Sequence, residues 1–92
     1  MKIYLSGPMT NIADDNFPAF NAAAERLRLL GHDIVNPAEN FGGARDLPRT
    51  EYLRLDVMAV CQVDAVAVLP GWWYSRGAQL ETYVAREIGL SI

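Results

Sequence analysis

The stretch Asp64-Ala-Val-Ala-Val-Leu-Pro-Gly-Trp-Trp-Tyr-Ser-Arg-Gly-Ala-Gln-Leu-Glu81 decides the fold. Asp64 to Leu69 is apolar after its leading acid, which predicts a parallel strand buried on both faces. Pro70 to Arg76 is a loop rich in aromatic and turn residues. From residue 77 to 88 a helix follows, with Leu80, Val84, Ala85 and Ile88 at helical spacing and Gly89 as its stop. In an open α/β sheet, ligands bind beyond the carboxyl ends of the strands. On the helix, Gly77, Glu81, Val84 and Ile88 share one stripe, so a carboxylate sits on an otherwise apolar face at that end. Such an acid is costly unless it is paired or borders a cavity. The alternative is a slightly rotated helix with Glu81 at the solvent boundary.

The same alternation continues upstream. Lys2 to Ser6 is a strand closed by the Gly7-Pro8 turn, and residues 16 to 30 form an amphipathic helix through Phe17, Phe20, Ala24 and Leu27. Asp14, Asp15 and Asn16 offer N-caps, Pro18 suits the first turn, and Gly31 stops the helix. His32 to Val35 is a second strand, Ala38 to Leu47 a surface loop, and residues 48 to 61 a second helix through Leu53, Val57 and Val60. Leu90 to Ile92 would begin a fourth strand. Strands alternating with helices imply right-handed crossovers, and so a three-layer, flavodoxin- or Rossmann-like α/β domain with a parallel sheet of about four strands.

Composition narrows the function. A chain of 92 residues is one domain, and with 51% hydrophobic residues it is not disordered. A net charge of −3 argues against a partner that is a nucleic-acid polymer. No run reaches transmembrane length, no leader pattern follows Met1, and the single Cys61 fits a reducing compartment. The expected setting is the cytoplasm, with no membrane partner. Cys61, next to Val60, reads as a packed core thiol. No His/Cys/carboxylate cluster has metal-ligand spacing, so neither a metal nor another cofactor is expected.

Asp56 repeats the oddity of Glu81, sharing a face with Leu53, Val57 and Val60; its alternative is a boundary residue paired with Arg49 or Arg54. Paired carboxylates at a strand's carboxyl end suit glycosidic-bond chemistry, one as nucleophile and one as acid/base. Tyr4, on the first strand, is either a core aromatic or a hydroxyl donor that orients the nucleophile and keeps it ionised. Ser6, Gly7 and Pro8 form the first strand-to-helix turn, whose backbone N–H groups can face a ligand. Ser75, Arg76 and Gly77 open the last helix: Gly77 permits close approach, and Ser75 either contacts an anion or is an N-cap alone. Trp72, Trp73 and Tyr74 read as a stacking platform or a subunit interface.

With these residues assembled, the chain resembles the nucleoside 2-deoxyribosyltransferase-like superfamily, and more closely its short members grouped as the DUF4406 domain of unknown function in phages and bacteria. The resemblance runs through Lys2-Ile-Tyr-Leu-Ser-Gly-Pro-Met9, Asn36-Pro-Ala-Glu39, Tyr52-Leu-Arg-Leu-Asp56 and Asp64 to Glu81. It implies that Glu81 attacks C1′ of a 2-deoxyribose, that Asp56 assists the leaving base, and that Tyr4 orients the nucleophile. Enzymes of that superfamily acting on free nucleosides carry an acid two residues before the helix glycine, whereas those hydrolysing deoxynucleoside monophosphates carry a serine. Here it is Ser75, beside Arg76, and a hydroxyl with a guanidinium attracts phosphate where a carboxylate would repel it.

Two departures stand out. The chain is shorter than typical transferases, and Met9 to Ile12 lacks the basic, glycine-rich character of the monophosphate hydrolases. The resulting expectation is cleavage or transfer of the N-glycosidic bond of a 2′-deoxynucleoside, the 5′-monophosphate favoured. A non-catalytic nucleotide-binding or sequestering module is the alternative, and an oligomeric scaffold anchored by Trp72 and Trp73 a third. A homodimer or higher oligomer is expected, because a short sheet and exposed aromatics need cover.

Overall fold

A computed structural model describes residues 1–92, the side chain of Phe41 excepted. Strands β1 (Lys2–Ser6), β2 (Asp33–Val35) and β3 (Ala65–Val68) alternate with helices α1 (Phe17–Leu29), α2 (Arg49–Val60) and α3 (Arg76–Glu87). The sheet is parallel, in the order β2-β1-β3. Lys2 to Tyr4 pair with Asp33 to Val35 on one side, and Ile3 to Ser6 pair with Ala65 to Val68 on the other. Parallel neighbours require long crossovers, which the helices supply. The first crossover leaves β1 one way and the second crosses back over it, so the strand order reverses between β1 and β3. At such a switch point the loops diverge and leave a crevice.

Strand alternation divides the core. Ile3 and Leu5 point to one face, where Phe20, Ala23 and Ala24 of α1 cover them together with Ile34. Tyr4 points to the other face and packs with Val60 of α2, Val63, Val66 and Ala85 of α3. Helices α1 and α3 both end on a left-handed glycine, Gly31 (φ 94°) and Gly89 (φ 81°). In each case the next N–H reaches back five residues, from His32 to Leu27 and from Leu90 to Ala85, which closes the last turn.

Several expectations change. The sheet has three strands among the described residues, not four: after Gly89 only Ser91 pairs, in a single parallel bridge to Ala65. Ala67 and Val68 are half-buried: β3 is an edge strand, and the chain end at Ser91 covers it only at Ala65 and Val66. Cys61 is exposed, since it caps α2 and the core positions of that turn go to Val60 and Val63. The expected loop at Ala38 begins as a short 3-10 helix, Pro37–Gly43, that buries Ala38. Asn16 caps α1 without a side-chain bond to the helix; its Nδ2 instead donates to the Pro8 carbonyl at 2.9 Å. Among the described residues, no helix is long and apolar enough to cross a membrane.

Candidate active site

The polar face of β1 lies beneath α3. Ser75 caps that helix, its Oγ accepting the Ala78 N–H at 3.2 Å. One turn further in, Ala78, Glu81, Thr82 and Ala85 face inward. Thr82 satisfies its own hydroxyl by donating to the Ala78 carbonyl at 2.9 Å. Glu81 is satisfied from the sheet. Tyr4 Oη donates to its Oε2 at 2.9 Å and Ser6 Oγ donates to its Oε1 at 2.6 Å. Glu81 is only 5% exposed and Tyr4 fully buried. Both carboxylate oxygens are therefore fixed before any ligand arrives.

Asp56 approaches from α2, half-buried, with its Oδ1 accepting from Asn40 Nδ2 at 2.7 Å. Its partner is thus neither Arg49 nor Arg54. Burial raises its pKa to about 6, against the pull of Asn40 and Tyr4. Burial likewise raises Glu81 to about 7; the Ser6 and Tyr4 hydroxyls pull it down, and the charge of Asp56 adds to the rise. The Tyr4 hydroxyl pulls Glu81 toward its ionised form, but desolvation outweighs the two hydrogen bonds together. Tyr4 itself is pushed well above its ordinary range, first by burial and then by Glu81 and Asp56, so it remains a protonated donor beside both acids.

These groups form the floor of a cleft of about 880 Å³ at the switch point, within the size range of small-molecule sites. Gly7 and Pro8, Ser75 to Gly77, and Tyr4, Asp56 and Glu81 all line it. Ser6 does not: it is 1% exposed, its hydroxyl serves Glu81, and its carbonyl accepts the Leu69 N–H at 2.8 Å. It positions the carboxylate where a ligand contact was expected. Gly7 is required by packing, since a Cβ there would lie 2.8 Å from Leu69 Cβ. Gly77 is not, because its Cβ would meet nothing nearer than Ser75 Oγ at 3.9 Å. Its absent side chain leaves room in the cleft.

Trp72 to Tyr74 form a short 3-10 turn at the rim, with the two indoles edge-to-face at 6.3 Å. Tyr74 is 83% exposed and lines the cleft. A second, smaller depression beside Arg28 and Glu39 has those charges already joined at 2.7 Å. No group of three His, Cys, Asp or Glu side chains among the described residues could hold a metal ion.

Asn40, Arg45, Arg49 and Tyr52 also line the cleft and were not anticipated. A polar residue just after the Asn36-Pro-Ala-Glu39 segment, and an arginine in a connecting loop, are ordinary positions for ligand contacts. That was the available signal.

The chain belongs to the DUF4406 family, a domain of unknown function whose model matches residues 1–92. No curated protein and no solved structure matches it.

Proposed function

We propose that this protein cleaves or transfers the N-glycosidic bond of a 2′-deoxynucleoside, with the 5′-monophosphate as the favoured form, in the manner of the nucleoside 2-deoxyribosyltransferase-like superfamily. The observation that carries the reading is Glu81: a buried carboxylate at the cleft floor, each oxygen held by one hydroxyl from β1. A buried acid without a cationic partner is expensive in a small domain. An oriented nucleophile accounts for it.

In the first step a Glu81 oxygen bonds to C1′ as the C1′–N bond breaks. The electron pair of that bond leaves with the base, which takes a proton from Asp56. In the second step water, or a second base, bonds to C1′ and gives its proton to the Asp56 carboxylate. The C1′–Glu81 ester bond breaks and the carboxylate is restored. Asp56 at about 6 lies where one carboxyl can act as acid and then as base. Asn40 fixes it by one oxygen. Tyr4 and Ser6 hold Glu81 in line without exchanging protons with the substrate.

Ser75 can donate its hydroxyl proton into the cleft while still accepting from Ala78, and Arg76 beside it supports an anionic substrate. Leu55 and Met58 on α2, with Leu80 and Tyr83 on α3, are exposed and favour a second copy of the chain as partner. Light scattering at micromolar concentration checks this, a monomer speaking against it.

The non-catalytic binding module has one observation in its favour. With its pKa at about 7, Glu81 is half protonated at neutral pH and could serve as a neutral hydrogen-bond donor. The two readings separate when deoxynucleosides and their monophosphates are incubated with the protein and chromatographed for free base. Release abolished in Glu81→Ala supports catalysis. Tight binding without release, undiminished in Glu81→Gln, supports the module.

A further inference from the structure

The cleft carries its charge in two tiers. Glu81 and Asp56 lie at the floor, while Asp15 and the exposed guanidinium groups of Arg45, Arg49 and Arg76 lie further out. Arg45 differs from the other two arginines in being held. Its Nη1 lies 3.7 Å from Asp15 Oδ2, and its guanidinium stands 5.6 Å from the centroid of the Phe17 ring. Among the described residues, neither Arg49 nor Arg76 makes an ion pair.

Both sides of that contact are braced. The Tyr52 hydroxyl donates to the Ala44 carbonyl at 2.9 Å and accepts the Leu47 N–H at 3.0 Å, which fixes the loop on either side of Arg45. Opposite, Asp14, Asp15 and Asn16 stand consecutively in the left-handed region, with φ of 53°, 51° and 61°. Such backbone persists only where its surroundings impose it. Here the Asn16 bond to Pro8 ties the turn to the first loop of the cleft.

A guanidinium binds phosphate through two parallel hydrogen bonds. At 3.7 Å, Asp15 forms an ion pair with Arg45 but no hydrogen bond, so the donors stay open. An exposed pair of that kind is weakly held. We propose that Arg45 binds the phosphate of a 5-phosphorylated 2-deoxyribose, free or as a nucleotide, and that Asp15 is the placeholder it leaves when the phosphate arrives. The sugar then reaches toward the carboxylates and the phosphate remains at the outer tier. A neutral nucleoside gains nothing from Arg45, so this pair adds to the preference for the phosphorylated form that Ser75 and Arg76 support. The nucleotide case rests on the glycosidic reading above; the sugar phosphate does not.

Isothermal titration of the full chain tests it, with deoxynucleoside 5′-monophosphates, the matching deoxynucleosides and 2-deoxyribose 5-phosphate as probes. Wild type binds the phosphorylated probes more tightly than the nucleosides. Arg45→Gln loses about tenfold or more of that affinity, as expected for a charged hydrogen-bonded pair, with nucleoside affinity unchanged. Arg45→Lys, which keeps the charge and loses the fork, falls between. Asp15→Asn binds the phosphorylated probes more tightly by a few fold.

An undiminished phosphate preference in Arg45→Gln overturns the proposal, as does an equal loss for nucleosides and monophosphates. No phosphate preference in wild type also overturns it, and leaves the glycosidic reading standing if free base is released. Arg45-dependent binding of 2-deoxyribose 5-phosphate without base release from any nucleotide upholds it and sinks the glycosidic reading. No binding of any probe overturns both.

Discussion

The two faces of β1 are built from alternate residues of one five-residue strand, yet they obey opposite rules. Ile3 and Leu5 face α1 and pack into a cluster of apolar side chains. Tyr4 and Ser6 face α3 and meet the carboxylate of Glu81. The first face is what a small domain needs in order to fold. The second holds an acid that stability alone would not select, because burial costs it more than its two hydroxyl donors return. Where a structure spends stability on a side chain, function is the place to look for the reason.

The comparison breaks most visibly if one substitution is made on each face. On the polar face, Glu81→Ala should reduce base release on the order of 10³-fold or more, as loss of a covalent nucleophile does, while circular dichroism shows the fold intact. On the apolar face, Ile3→Ala should cost about 2–5 kcal/mol in urea unfolding, with turnover per folded molecule unchanged. If Ile3→Ala abolished turnover in folded protein, or Glu81→Ala unfolded the chain, the division between the faces would be wrong.

A smaller effect sharpens the division, and its sign is informative. Glu81 rises from 4.5 to about 7 on folding, and Asp56 from 3.8 to about 6. Over those windows the folded chain holds more protons than the unfolded one, so stability falls as pH rises. Above pH 7 the full cost of ionising Glu81 is present, roughly 3 kcal/mol from the size of the shift. Glu81→Gln, which keeps the shape and cannot ionise, should therefore be more stable than wild type at pH 8 by up to that amount. The gain should vanish near pH 4.5, the ordinary value for a glutamate. Thermal melts across this range check it, and a Glu81→Gln protein less stable at pH 8 would contradict it.

The proposed mechanism needs Glu81 ionised and Asp56 protonated, so kcat/KM should follow a bell whose limbs lie at about 6 and about 7 and belong to the pair. The smallest expected effect is that of Tyr4→Phe. Losing one donor raises Glu81 further and moves the lower edge of Glu81 ionisation to higher pH. The rate at neutral pH should fall about 10- to 100-fold, and stability should change by about 1 kcal/mol.

Much of this contrast was legible in the sequence because it is periodic. A glutamate on the apolar stripe of α3 and a tyrosine on a short apolar strand are local anomalies, visible without partners. The order of strands and helices is visible for the same reason. What required the structure was long-range. Ser6 and Glu81 are 75 positions apart, and nothing local distinguishes a serine that orients a carboxylate from one that faces a ligand. Asn40 and Arg45 lie in an aperiodic segment, where position depends on loop packing against Asp56, Tyr52 and Phe17. Cys61 misled because neighbouring helix positions face opposite ways at a C-cap. The missing fourth strand reflects how little pairing three residues after Gly89 can make.

The proposed mechanism stands or falls on whether Glu81 becomes bonded to the sugar. Rapid acid quench of the protein with a deoxynucleoside monophosphate, followed by peptide mass spectrometry, tests it directly. A deoxyribosyl phosphate adduct is expected on the peptide containing Glu81, and none in Glu81→Gln. Free base released at full rate by Glu81→Gln, or an adduct carried by another residue, would contradict it.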